Sequence, residues 1–294
     1  RLCRDWSSDV CSSDLAFFND LLIGIIEQNL TSLLADVNAR VGTIAAEVGQ
    51  TPQAWNGSIF TMIKSLSDTV IVPIAGLVMT GILCYEILSM LMEKNNLHEV
   101  DTWMFFKWMM KAVIAIYLVT NTFNIVMAIF DVGQHIVSSS AGVINTSTSI
   151  DIASALASMV DGLELMSTAE LVTIALETVL VKISILAISI IITVILYGRM
   201  IEIYLAISIA AIPLATMANK EWGQIGSNYL RSLVALGIQG FFIMVCVGIY
   251  AVLVGGITVT ENIHATIFSI LTYTVILCFA LIKTSGLAKS VMNA

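Results

Sequence analysis

Four stretches of the chain, residues 69–92, 112–130, 178–198 and 232–256, are each about as long as a bilayer is thick and predominantly apolar, and 264–282 is nearly as clear a fifth. A helix needs roughly 20 such residues to cross the hydrocarbon core. Composition agrees: 58% of the 294 residues are hydrophobic, only 12% are charged, and the mean hydropathy is +0.94. Soluble domains carry about 25% charge. The expected fold is therefore all-α: a polytopic membrane protein with about five transmembrane helices and amphipathic helices outside the spans.

One segment decides the topology. Residues 200–218, "MIEIYLAISIAAIPLATMA", are apolar enough to cross but are short, carry Glu202 and contain Pro213. They read as a re-entrant stretch or as a sixth helix. Lys and Arg concentrate on the cytoplasmic side of helix ends. With five spans and the N-terminus outside, Lys94, Lys107, Lys111, Arg199, Lys220, Arg231, Lys283 and Lys289 fall inside, against Arg40, Lys64 and Lys182 outside. Six spans separate the charges less well and place the acidic segment 131–181 in the cytoplasm. Five spans are preferred.

The first fifteen residues, "RLCRDWSSDVCSSDL", do not share this chemistry. They lack the apolar core of a secretory signal, and residues 5–15 match, without a gap, the translation of a common short-read sequencing adapter. Residues 1–15 are accordingly expected to be an artefact and not native protein. Setting them aside leaves 11 basic and 18 acidic residues, a net charge of -7. Cys84, Cys246 and Cys278 then remain, each within an apolar run where a thiol behaves as a small hydrophobe.

Residues 16–68 are expected outside the membrane, on its non-cytoplasmic face, ahead of a membrane domain over 69–294. Phe18, Leu22, Ile25, Ile26, Leu33, Leu34 and Val37 recur at helical spacing with Asp20, Glu27, Gln28 and Asp36 between them. This is one apolar stripe on an amphipathic helix. Lipid-binding helices normally carry Lys and Arg on the polar face, and this one carries acids. Both another subunit and the lipid surface stand as its partner. "EVGQTPQAWNGS" reads as a loop broken by Pro52 and Gly57. Residues 131–177 are expected as an external loop, with a flexible "SSSAGVINTSTS" and a second amphipathic helix, "IDIASALASMVDGLELM".

No catalytic constellation is visible. His98, His135 and His264 are far apart, and neither a zinc-protease H-E-x-x-H nor a phosphate-binding loop occurs. No enzyme activity, metal or cofactor is expected. A lone histidine near a membrane interface reads first as a solvated polar residue. Intramembrane ionisable residues raise a functional hypothesis, because each costs about 2.5–3.5 kcal/mol at the bilayer centre. Glu86 is the foremost, with an interfacial or inter-helix carboxylate as the plainer reading. Lys182 either snorkels outward or pairs with Glu177. Asn121 and Asn124, at i and i+3, and Gln239 are buried-amide candidates for helix-to-helix bonding or for lining a conduit. Ala206 and Ala210, and Ala211 and Ala215, repeat every four residues as in close helix packing.

"EVDTWMFFKWMMKA" places Trp103 and Trp108 beside Lys107 and Lys111, an aromatic and cationic anchor suited to the inner interface. Trp222 is a third interfacial anchor. With Lys94, Glu99 and Asp101, the loop is a candidate docking surface for a cytoplasmic partner.

"VGTIAAEVGQTPQAWNGSIFTMIKSLSDTVIVPIAG" and "MEKNNLHEVDTWMFFKWMMKAVIAIYLVTNTFNIVMAIFDVGQ" closely resemble TrbL-like polytopic membrane proteins of conjugative type IV secretion machines, in the form found on Gram-positive integrative conjugative elements. The likeness extends over 16–294 and rests on long stretches and hydropathy profile, not on a short signature. It implies an oligomeric component of the DNA-transfer channel in the bacterial cytoplasmic membrane. The implied partners are the machine's other membrane subunits and cytoplasmic ATPases, acting while a relaxase-bound single strand is exported. It also implies an external N-terminus and a large external loop after the second span. The acidic composition argues against a broad basic groove for DNA. The alternative is a small-solute transporter or channel unrelated to conjugation, for which the paired broken helices of internal repeats would be expected; only one Pro-containing dip is present.

Overall fold

The structure, a computed structural model, describes residues 2–93, 102–145, 160, 162–257 and 263–294. These residues form helices joined by short turns, with no strand among them. The principal elements are α1 (Leu2–Val48), α2 (Pro52–Trp55), α3 (Gly57–Leu66), α4 (Val72–Glu93), α5 (Thr102–Thr120) and α6 (Thr122–Asn145), then α7 (Thr168–Ile209), α8 (Ala211–Ala215), α9 (Gly223–Gly255) and α10 (Ile263–Met292). Five stretches among the described residues are long and apolar enough to cross a membrane: Gly57–Met92, Thr102–Thr120, Thr168–Ile209, Gly223–Gly255 and Ile263–Met292. Their outward faces carry large apolar side chains, such as Leu77, Leu180, Ile190, Val194 and Phe279. Such extended apolar surface belongs against lipid rather than water.

The chain forms two compact units. The first comprises Arg1–Ala46, Ala141–Ile195 and Met244–Ile282. In it, Leu22, Ile26, Leu30, Leu33 and Leu34 of α1 are buried while Asp20, Glu27 and Gln28 are exposed. The predicted amphipathic stripe is therefore real, but it is covered by this same chain. Asn29 Nδ2 donates to Thr178 Oγ1 at 3.4 Å and Arg40 Nη2 to the Ile185 carbonyl at 3.3 Å, which sets α1 along α7. Phe18 and Ile25, counted in the stripe, are instead exposed, because they sit at its margin.

The second unit comprises Glu47–Ser140, Leu196–Ile243 and Lys283–Ala294. Its "EVGQTPQAWNGS" segment is less loop than expected. Thr51 Oγ1 accepts from Ala54 N at 3.2 Å, and Asn56 Oδ1 from Ile59 N at 3.0 Å, so each residue caps a new helix. Tyr204 closes over this corner by donating to the Pro52 carbonyl at 2.5 Å, with Trp55 packed against it. The first span runs from α3 into α4 through one π turn, Ser67–Ile71. Pro73 explains the widening: it has no N–H, and its ring excludes the carbonyl four residues earlier, at Thr69.

Two boundaries differ from the sequence reading. The second span is Thr102–Thr120 rather than 112–130, because the helix is interrupted at Asn121. There Thr120, Asn121 and Thr122 turn their side chains back onto carbonyls between Ile116 and Val119, in competition with the backbone ladder. Residues 131–145, read as the start of the external loop, continue α6. The amphipathic segment 150–166 lies mostly outside the described residues.

Segment 200–218 is not a spanning helix of its own. Residues 200–209 complete α7, whose 42 residues rise about 63 Å. Pro213, which excludes the carbonyl of Ile209, ends it. The chain then folds through α8, a 3-10 turn at Thr216–Ala218 and an extended Asn219 before α9 begins. Thr216 Oγ1 donates to the Pro213 carbonyl at 2.7 Å and accepts from Gly226 N at 3.1 Å. A Cβ on Gly226 would fall 2.5 Å from that same carbonyl oxygen, so glycine is required there. The small residues pack as expected: Ala210, Ala211 and Ala215 are fully buried, the latter two against Ala75 of α4 and Ala115 of α5.

Candidate functional site

Glu86 of α4 is 8% exposed, and its Oε1 accepts from Lys111 Nζ of α5 at 2.7 Å. The second carboxylate oxygen is buried without a hydrogen-bond partner. Lys111, expected at a docking surface, spends one donor on this buried carboxylate and keeps its side chain half exposed, lining a cavity of about 350 Å³. Met217, Ala218, Asn219 and Lys220 form the opposite wall. The chain after the 3-10 turn is fixed by Asn219 Oδ1, which accepts from Glu221 N at 2.6 Å, and by Trp222, which stacks on Tyr85 at 5.6 Å.

In the first unit, the contemplated Glu177–Lys182 pair does not form. Glu177 Oε2 instead lies 2.5 Å from His264 Nδ1, and Lys182 Nζ reaches Asn29 Oδ1 at 3.5 Å. Five residues along one helix set the two side chains on different faces, since only i+3 and i+4 neighbours align. His264, read as a solvated residue, is thus the partner of Glu177 on α7. Elsewhere in the same unit, the hydroxyls of Tyr250 and Thr274 lie 3.2 Å apart in the buried core.

The amide candidates separate. Asn121 sits at the break between α5 and α6, where its Nδ2 donates to the Tyr117 carbonyl at 3.0 Å, while Asn124 is exposed on α6. They do not share one helical face. Gln239 is buried, with its Oε1 lacking a partner. Next to it, Gly240 of α9 faces Arg199 of α7: a Cβ there would meet Arg199 Nη2 and Val137 Cγ2 at 2.9 Å each. Arg199 is 8% exposed and its Nε has no partner. Sequence reasoning counted Arg199 only as a topogenic charge. Glu202, weighed only as a charge in segment 200–218, accepts from Lys289 Nζ at 2.9 Å across 87 residues.

The anchor residues cluster as aromatic stacks. Trp103 stacks on Phe106 at 5.6 Å with Lys107 Nζ 5.6 Å over its ring, and Trp108 lies against Phe105. Lys94, Glu99 and Asp101 lie outside the described residues. Among the described residues no three His, Cys, Asp or Glu side chains group as a metal site.

Five helices long and apolar enough to cross a membrane define a multi-pass membrane protein. The family model described as TrbL/VirB6 plasmid conjugal transfer like protein matches residues 37–211, more than half of the chain. The chain belongs to this family, and with it to the components of conjugal transfer and type IV secretion. No curated protein and no solved structure matches it.

Proposed function

We propose that the protein is a channel or scaffold subunit of a conjugative type IV secretion machine in the bacterial cytoplasmic membrane, assisting export of relaxase-bound single-stranded DNA. The family match carries this reading. The internal pairing of its charges supports a scaffold over a DNA groove: Glu86 and Glu202 each hold a lysine of this chain, and Glu177 is bonded to His264. Nonspecific strand binding needs basic side chains tracking a backbone. The subunit is a homo-oligomer that contributes helices to a shared path and has no enzymatic role. Its partners are the other membrane subunits of the machine and the cytoplasmic ATPases, which dock on the loop carrying Lys94, Glu99 and Asp101.

Crosslinked affinity purification from donor cells tests this. The protein should bring down a conjugation ATPase and further secretion subunits. Reversing the signs of Lys94, Glu99 and Asp101 together should remove the ATPase while the membrane subunits remain. Recovery of the protein with none of these partners would refute the assignment.

A further inference from the structure

The cavity between α5 and the turn after α8 has two unlike halves. Lys111 and Lys220 supply ammonium groups, and Asn219 an amide, while Ile114, Ala115, Leu118, Met217 and Ala218 make the remaining wall apolar. We propose that this cavity binds one anionic phospholipid of the inner leaflet, with its phosphate between Lys111 and Lys220 and an acyl chain along Ile114 and Leu118.

Three observations carry the assignment. Lys111 gives one hydrogen bond to Glu86 and retains two donors on the ammonium, which is half exposed toward the cavity. Lys220 is exposed. Ile114, at 54% exposure, continues the wall outward onto the apolar surface of α5, where Val113 and Tyr117 are also exposed. A ligand with an anionic head and a hydrocarbon tail satisfies both halves, and basic pockets between membrane helices on the cytoplasmic side take such headgroups. Position agrees. Lys220 falls on the cytoplasmic side in the five-span topology, Lys111, nine residues into the span Thr102–Thr120, shares the cavity with it, and the Tyr85–Trp222 stack beside the turn has the chemistry of an interfacial belt. A nucleic-acid strand would also offer phosphate, but no aromatic ring lines the cavity for a base to stack upon.

The test uses the purified full chain and measures phosphatidylglycerol bound relative to phosphatidylcholine by native mass spectrometry. The wild type should retain phosphatidylglycerol preferentially. Lys220→Gln should weaken that retention about fivefold, as one lysine near an anionic headgroup contributes, and Lys220→Arg should restore it. Because Lys111→Met alone would strand the Glu86 carboxylate, the second variant is Glu86→Gln with Lys111→Met, which removes both charges and should also lose the preference. Equal retention of the two lipids, or a preference untouched by Lys220→Gln, overturns the proposal. Displacement of the lipid by millimolar inorganic phosphate would show a free-phosphate site, and Lys220-dependent capture of an oligonucleotide in place of lipid would show a strand site; either result also overturns it.

Discussion

A Cβ placed on Gly133 of α6 would lie 2.9 Å from the carbonyl oxygen of Gly237 on α9 and 3.1 Å from its Cα, so the two helices meet backbone to backbone. The converse contact is looser, since a Cβ on Gly237 would find Ile129 O no nearer than 3.6 Å. Close approach through small residues is how helices associate where lipid removes the hydrophobic drive. Gly133→Ala should therefore cost about 1–3 kcal/mol of overpacking, and Gly237→Ala much less. Thermal unfolding in detergent should rank them in that order, and equal losses would contradict the asymmetry.

Glu86 and Lys111 are unequally buried, and their variants should be unequal too. Lys111→Met leaves an unpaired carboxylate inside the protein and is expected to destabilise by about 1–3 kcal/mol. Adding Glu86→Gln should recover most of that loss, because removing both partners of a buried pair is often neutral. A double variant as unstable as the single one would show that the pair contributes through packing rather than charge.

Arg199 is buried beside Gly240 with its Nε unpartnered. Arg199→Met should leave stability within about 1 kcal/mol or raise it, since apolar replacements of buried charges are commonly tolerated. A charge retained at such cost marks function by default in a membrane, and conjugative transfer should fall in this variant while the protein accumulates normally. Full transfer by Arg199→Met would assign the residue to topology alone.

The charge distribution places position 145 outside and Gln224 inside. In a background lacking Cys84, Cys246 and Cys278, a cysteine at 145 should react with an impermeant maleimide in intact cells and one at 224 should not. Labelling of both positions would break the five-span topology.

Hydropathy made the helices legible, because an apolar run of bilayer length has few other fates. It could not fix their ends. Asn121 and Pro213 set those through local hydrogen bonding and steric exclusion inside otherwise continuous apolar runs. The polar pairs were only half legible: Glu86 and Glu177 stood out as acids in apolar sequence, yet Lys111 and His264 lie 25 and 87 residues away. Arg199 was obscured because a cation at the end of an apolar run satisfies the charge rule for orientation and so invites no further question. Gly240 was the missing signal, and only the helix pairing shows that it makes room for a guanidinium.

A channel or scaffold subunit, as proposed, would act in strand transfer after the DNA has been processed. Mating frequency is the measurement, from donors carrying an in-frame deletion of its gene, with relaxase nicking at the transfer origin followed in the same cells. Transfer should fall by orders of magnitude while nicking continues, and expression of the protein in trans should restore it. Undiminished transfer from the deletion strain would refute the proposed role.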